Sequence, residues 1–225
     1  MVSCLPQAVF VHVPKNAGSA LSQALGGVHH YWPMHVPWRT LKDNVGGRPG
    51  FGFIRNPWAR MHSLYYFLCY SPPRHMQRVN TPEIKQMGFE RWLLEGENWM
   101  SNEPIDGMIS IRQNGLRYEP VSPTNTYKGI DQLVHPTLGF PPQQRRPSLW
   151  WLDGLPPENI GKVENLDADL KRIATRLGFE VKPVRRLNRT SGKPPDYRHE
   201  YTPEMIDHVA HYAKMDIDFG AYSFE

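Results

Sequence analysis

The stretch Ala8-Val9-Phe10-Val11-His12-Val13-Pro14-Lys15-Asn16-Ala17-Gly18-Ser19, continuing through Ala20-Leu21-Ser22-Gln23-Ala24-Leu25, decides the fold class. Its first six residues form an apolar, β-branched run that reads as a strand, and Ser19 to Leu25 reads as a helix closed by Gly26-Gly27. The tight loop Pro14 to Ser19 joins them. The same order returns downstream as a strand over 51–55 and a helix from about 58 to 70, with Asn56 as N-cap and Pro57 as first helical residue. Two strand-loop-helix units in succession imply a parallel α/β arrangement.

Working outward, Ile160-Gly161-Lys162-Val163 reads as another strand. Leu166, Leu170, Ile173, Ala174 and Leu177 then form one helical stripe stopped by Gly178. Thr202-Pro203-Glu204 gives a last helix its N-cap, first-turn proline and first-turn acid, and that helix is expected to reach about Lys214. Both helices are expected to cover the sheet. Residues 71–157 hold Pro72-Pro73, Pro141-Pro142 and Pro156-Pro157, with helical pieces near 89–95 and 104–113, and read as an irregular inserted lobe. The expectation is one α/β domain over residues 1–225: a P-loop-like core of parallel sheet flanked by helices, built from 8–70 and 158–225, with 71–157 as the insert.

At 225 residues, 40% hydrophobic and 21% charged, the chain has the composition of a globular protein. No run approaches the roughly 20 apolar residues that cross a bilayer. Cys4 and Cys69 are too few for a disulfide framework or a cysteine zinc site. The run 8–13 lacks the basic flank and the cleavage site of a signal peptide, so a reducing, cytoplasmic setting is expected. The net charge is +4, yet nine Lys or Arg against three acids lie between Lys171 and Glu200. Such a block points to an anionic ligand or to a solvated basic face. It fits no nucleic-acid-binding motif, so nucleic acid is not the expected partner.

The Pro14-Lys15-Asn16-Ala17-Gly18-Ser19 loop, with a lysine, a glycine and a hydroxyl ahead of a helix, has the makings of an anion cradle, or else is an ordinary turn. It lacks the GxxxxGK[ST] order, because its Lys precedes its Gly. In Phe51-Gly52-Phe53-Ile54-Arg55-Asn56-Pro57-Trp58, Arg55 falls at the carboxyl end of a strand and Ser63 in the second turn of the next helix. The crevice beyond strand ends is where α/β sheets bind ligands, and an arginine fork beside a hydroxyl suits a phosphate. Separately, Arg55 could be an ion-pair partner and Ser63 a helix-surface hydroxyl.

Together these residues resemble a known family. Pro14 to Ser19 is similar to the 5′-phosphosulfate loop of sulfotransferases, and Arg55-Asn56-Pro57-Trp58 with Ser63 to their 3′-phosphate motif. Gly161-Lys162-Val163-Glu164-Asn165-Leu166, Leu187-Asn188-Arg189-Thr190 and the segment from Tyr201 to Tyr222 resemble later segments of the carbohydrate-type enzymes. Asn16, Ala20 and Ala59 depart from the usual Thr, hydroxyl and Asp. The resemblance implies 3′-phosphoadenosine 5′-phosphosulfate (PAPS) as co-substrate, without a metal. It implies that Pro14, Lys15, Asn16, Ala17, Gly18 and Ser19 bind the 5′-phosphosulfate, that Lys15 neutralises the leaving oxygen, that Arg55 and Ser63 bind the 3′-phosphate, and that Asn188, Arg189 and Thr190 close over the nucleotide.

An acceptor hydroxyl must lose a proton, and His35, between the two motifs where similar enzymes carry a histidine, is the expected general base, or else merely hydrogen-bonds in its loop. His29, His30 or an acid from the lobe compete for that role. Trp32, Trp38, Trp92, Trp99, Trp150 and Trp151 could stack on a saccharide acceptor or simply pack. Trp150-Trp151, read as a strand, should expose one of its two rings, and Arg145-Arg146 could meet an acidic acceptor. His208 and His211 fall three apart on the last helix, without an acid at metal-ligand spacing. Two rival readings are a nucleotide phosphotransferase and a non-catalytic nucleotide or polyanion-binding module. Neither a membrane partner nor an oligomeric state is indicated.

Overall fold

The computed structural model describes residues 2–26, 30–31, 37–70, 81–94, 146–185 and 192–225. Along them run β1 (Val2–Cys4), β2 (Val9–Val11), α1 (Gly18–Ala24), β3 (His30–Tyr31), α2 (Trp38–Leu41), β4 (Gly50–Ile54), α3 (Pro57–Tyr70), α4 (Thr81–Met87), α5 (Phe89–Leu94), α6 (Ser148–Leu152), β5 (Ile160–Lys162), α7 (Leu166–Leu177), α8 (Pro203–Tyr212) and α9 (Lys214–Gly220). The expected helix near 104–113 lies outside the described residues.

The chain is α/β, with one sheet of order β3-β1-β2-β4-β5. Strands β2, β4 and β5 are parallel, with Val9 opposite Gly50 and Gly52 opposite Ile160. Strand β1 runs antiparallel to β2 and to β3. The run 8–13 is therefore the second strand and the sheet is mixed, a correction to the all-parallel expectation. Both added strands are only two or three residues long, too short to show alternation. Beside them Leu5 N–H donates to the Ala8 carbonyl at 2.8 Å around Pro6-Gln7, which turns β1 into β2.

Alternation along β4 sorts the two faces. Phe51 and Phe53 point to one side, where they join Phe10, Leu21, Leu170, Ile173 and Phe179 in a buried core under α1 and α7. Phe179 stacks on Phe51 at 5.0 Å between centroids. Gly50 and Gly52 point to the other side and leave it bare at those two positions, ahead of Ile54. A Cβ on Gly52 would lie 2.3 Å from Leu152 Cδ2, and one on Gly50 2.6 Å from Leu155 Cδ2, so α6 and the turn after it rest against backbone. Residues 148–157 thus belong to the sheet-bearing unit and not to an inserted lobe. Trp150-Trp151 is helical rather than extended: Trp151 is buried and Trp150 partly exposed.

Helix α7 matches its sequence pattern, with Leu170, Ile173 and Ala174 buried and Gly178 ending it in the left-handed conformation at φ 73°. Its two arginines serve the fold. Arg172 donates to the Glu158 and Ile160 carbonyls at 2.6 and 3.1 Å and pairs with Asp169, and Arg176 bonds Asn159 and Glu158 at 3.2 and 2.7 Å.

The chain divides into two compact units, with boundaries after Arg55, before Ser148 and after 187. The second unit is helical. Trp58, Met61, Tyr65, Tyr66, Phe89, Trp92, Tyr201, Met205 and Val209 make its core, where α3 meets α4, α5 and α8. The last long helix, α8, accordingly packs on α3 and α5. Trp58 donates to the Ile206 carbonyl at 3.1 Å and Tyr201 to the Trp58 carbonyl at 2.8 Å. Thr202 caps α8 as expected, accepting from Met205 N–H. Glu200, just before that cap, takes the Tyr66 hydroxyl at 2.7 Å and pairs with the buried imidazole of His62. Among the described residues, no helix is long and apolar enough to cross a membrane.

Gly52→Val should cost about 1–3 kcal/mol in urea unfolding, because the new side chain lands on Leu152. Adding Leu152→Ala should recover part of that loss. Burial, reinforced at Tyr66 by Glu200, pushes the Tyr65, Tyr66 and Tyr201 hydroxyls above the ordinary tyrosine range. Folding favours their neutral forms. The stability they contribute is whole below the unfolded value near 10 and falls as pH rises toward the raised folded values. Tyrosinate absorbance should therefore show these three ionising together with alkaline unfolding.

Candidate functional site

The loop that follows β2 has an unusual backbone. Lys15 and Ala17 both adopt the left-handed region, at φ 65° and 58°, and neither is glycine. Each such residue costs on the order of 1–3 kcal/mol and persists only where its surroundings over-determine it. Those surroundings are visible. Asn16, between the two, is 1% exposed, and its Nδ2 donates to the Phe53 carbonyl at 2.6 Å and to Ser148 Oγ at 3.0 Å. Its N–H reaches the Val13 carbonyl at 3.3 Å. Arg55, at the end of β4, donates through Nη1 to the Lys15 carbonyl at 2.9 Å.

The structure thus brings Lys15 and Arg55, placed together by the sequence, to adjacent strand ends. Pro14, Asn16 and Gly18 are buried, Lys15 and Ala17 partly exposed, and Ser19 exposed. Ala17 occupies the N-cap of α1, and no side chain caps that helix. Its first amides are among the donors a helix leaves without an internal partner. The loop therefore offers amide donors, the Lys15 ammonium and the Arg55 guanidinium, a donor set chemically suited to a phosphate or sulfate ester.

His12 was missed by sequence reasoning. It is buried, stacks on Phe10 at 5.9 Å between centroids, and lies against Gly18 so closely that a Cβ there would fall 1.7 Å from Nε2. The available signal was a polar residue inside the apolar run Val11-His12-Val13, on the same strand face as Phe10.

Asn56 caps α3, its Oδ1 accepting from Ala59 N–H at 3.1 Å, while its Nδ2 donates to the Ser223 carbonyl at 3.0 Å. Ser63 is buried in the second turn of α3, in the helical unit. Asn188, Arg189 and Thr190 lie outside the described residues, as do His29, His35, Trp32, Trp99 and Arg145. The His30 side chain does too.

Trp38, Trp92 and Trp151 are buried, so they pack rather than await a sugar. Trp150 has Arg39 over its ring at 4.3 Å, and Arg39 pairs with Asp153 at 3.7 Å. Arg146 is buried too, which removes it from the surface where an acidic acceptor would meet it. Of the basic block, Arg172, Arg176 and Arg198 are engaged with nearby acids, while Lys171, Lys182 and Arg185 are exposed. A concavity among the described residues is lined by Leu94, Glu204, Asp207 and His208, and its two carboxylates do not suit an anion. No group of three or more metal-ligating side chains occurs among the described residues.

The chain was compared with protein-family models, curated proteins and solved structures, and none matches.

Gly18→Ala should destabilise the protein by about 1–3 kcal/mol through collision with His12 and should shift the His12 imidazole resonances. Combined with His12→Ala, the loss should be smaller than the sum of the two single effects.

Proposed function

We propose that the chain transfers a sulfuryl group from PAPS to a hydroxyl acceptor, and that its core is P-loop-like. The observation that carries this reading is the joint placement of the Lys15-to-Ser19 loop and Arg55, with the Arg55 guanidinium on the Lys15 carbonyl. In the reaction the acceptor oxygen bonds to sulfur while sulfur's bond to the 5′-phosphate oxygen breaks. The acceptor proton passes to a base. Lys15 and the loop amides stabilise charge growing on the leaving oxygen, and Arg55 binds the 3′-phosphate, a role the sequence resemblance gives to Ser63 as well. The sequence resemblance assigns Asn188, Arg189 and Thr190 to the nucleotide as well. His35 or the newly placed His12 takes the proton, an imidazole being matched to neutral pH.

Several features favour this over the rivals. A phosphotransferase would want a lysine after the loop glycine, and Ser19 stands there. A polyanion binder would want the basic block free, and Arg172 is engaged with Asp169 and the Ile160 carbonyl and Arg176 with Glu158 and Asn159. The acceptor is proposed to be a saccharide or similar small molecule. The buried free thiols of Cys4 and Cys69 accord with a reducing, cytoplasmic setting.

Calorimetry with 3′-phosphoadenosine 5′-phosphate, beside ATP and AMP and without magnesium, tests the proposal. Micromolar, metal-independent binding of the bisphosphate, weakened at least tenfold in Arg55→Ala, is expected. Lys15→Ala should abolish turnover yet keep much of that affinity. Equal affinity for all three nucleotides, or none, would sink it.

A further inference from the structure

The Asn16 side chain is the most constrained polar group of the loop. It is almost wholly buried, as is Ser148, at 1% and 0% exposure, and both of its described hydrogen bonds use the amide nitrogen. Among the described residues, its Oδ1 is buried with no hydrogen-bond partner. A buried acceptor left in that state is a cost, so the amide donor is what the position exploits. A carboxylate of the same shape could not donate to the Phe53 carbonyl.

The two acceptors fix two different things. The Phe53 carbonyl belongs to β4, two residues before Arg55, and Ser148 opens α6, whose Leu152 lies on Gly52. Asn16 therefore references the loop to the strand that delivers Arg55 and to the helix packed on that strand at Gly52. Its neighbours Lys15 and Ala17 are the two left-handed residues.

We infer that Asn16 and Ser148 are positioning residues, which act through each other to hold Lys15 and Ala17 in the conformation that presents the loop to its anionic ligand. Ser148, from a segment read as acceptor lobe, becomes part of the donor site. The inference deepens the sulfuryl-transfer reading and rests on it for the identity of the ligand.

The test uses the full chain with Asn16→Ala, Ser148→Ala and both together. Amide hydrogen exchange is followed without nucleotide over residues 14–24, with 166–177 as internal reference, and affinity for 3′-phosphoadenosine 5′-phosphate is read by calorimetry. Asn16→Ala should speed exchange over 14–24 about tenfold or more, leave 166–177 unchanged, and weaken the nucleotide about tenfold. Ser148→Ala should weaken it about three- to fivefold. The double variant should be no weaker than Asn16→Ala, since Ser148 acts through the Asn16 amide. Additive losses, unchanged exchange over 14–24, or equal acceleration in both segments would overturn the inference. Should Asn16→Ala not fold, Ser148→Ala keeps the Phe53 bond and decides the matter by the same two readouts. A wild-type chain that ignores the nucleotide while loop exchange still responds would remove the sulfuryl-transfer reading and leave the positioning role standing.

Discussion

Everything in the sheet-bearing unit depends on one strand whose first four residues carry side chains on a single face. In β4 the order Gly50-Phe51-Gly52-Phe53 gives the α1 and α7 side two aromatic rings and gives the α6 side none. Helix α6 and the turn after it can then sit directly on backbone, Leu152 against Gly52 and Leu155 against Gly50. Any larger residue at these glycines would lift α6 away. Because side chains alternate strictly along a strand, the two faces cannot be tuned independently of register.

That close approach carries over to the loop. With Leu152 fixed at Gly52, Ser148 lies one turn back along α6, at the level where β4 ends and Asn16 bonds the Phe53 carbonyl. Two glycines in a strand thus govern whether a serine reaches an asparagine. Arg55, leaving the same strand, holds the Lys15 carbonyl from the other direction. The loop's left-handed residues are sustained by β4 and α6 and not by local propensity, which disfavours them.

How much of this could be read from the sequence follows from the range of the forces involved. Strands β2, β4 and β5, the stripe and glycine stop of α7, and the Thr202 cap are local patterns and were legible to within a residue or two. So was the partnership of the Pro14-to-Ser19 loop with Arg55, since both end strands of one sheet. Strands β1 and β3 were not, being held by pairing and not by any run of their own. Helix α6 misled because Trp150-Trp151 carries no period and its helix depends on the glycines it covers. Charge counting over 171–200 could not reveal that Glu158, Asn159 and Asp169 occupy Arg172 and Arg176. Nor could a linear reading show that the missing side chain of Gly18 makes room for His12.

The strand order has a bearing on how the molecule is made. Synthesis delivers β1 to β4 early, but β5, the partner for the outer edge of β4, follows only after the helices of the other unit and α6 have been translated. Until then the backbone donors and acceptors along Phe51, Gly52, Phe53 and Ile54 on that side face solvent or a neighbouring nascent chain, the situation in which strands pair wrongly. Only five residues of strand, two of them glycine, are at risk, and that brevity limits the template offered to a stray partner. The glycines that let α6 approach so closely thus also make the waiting edge a poor place to aggregate.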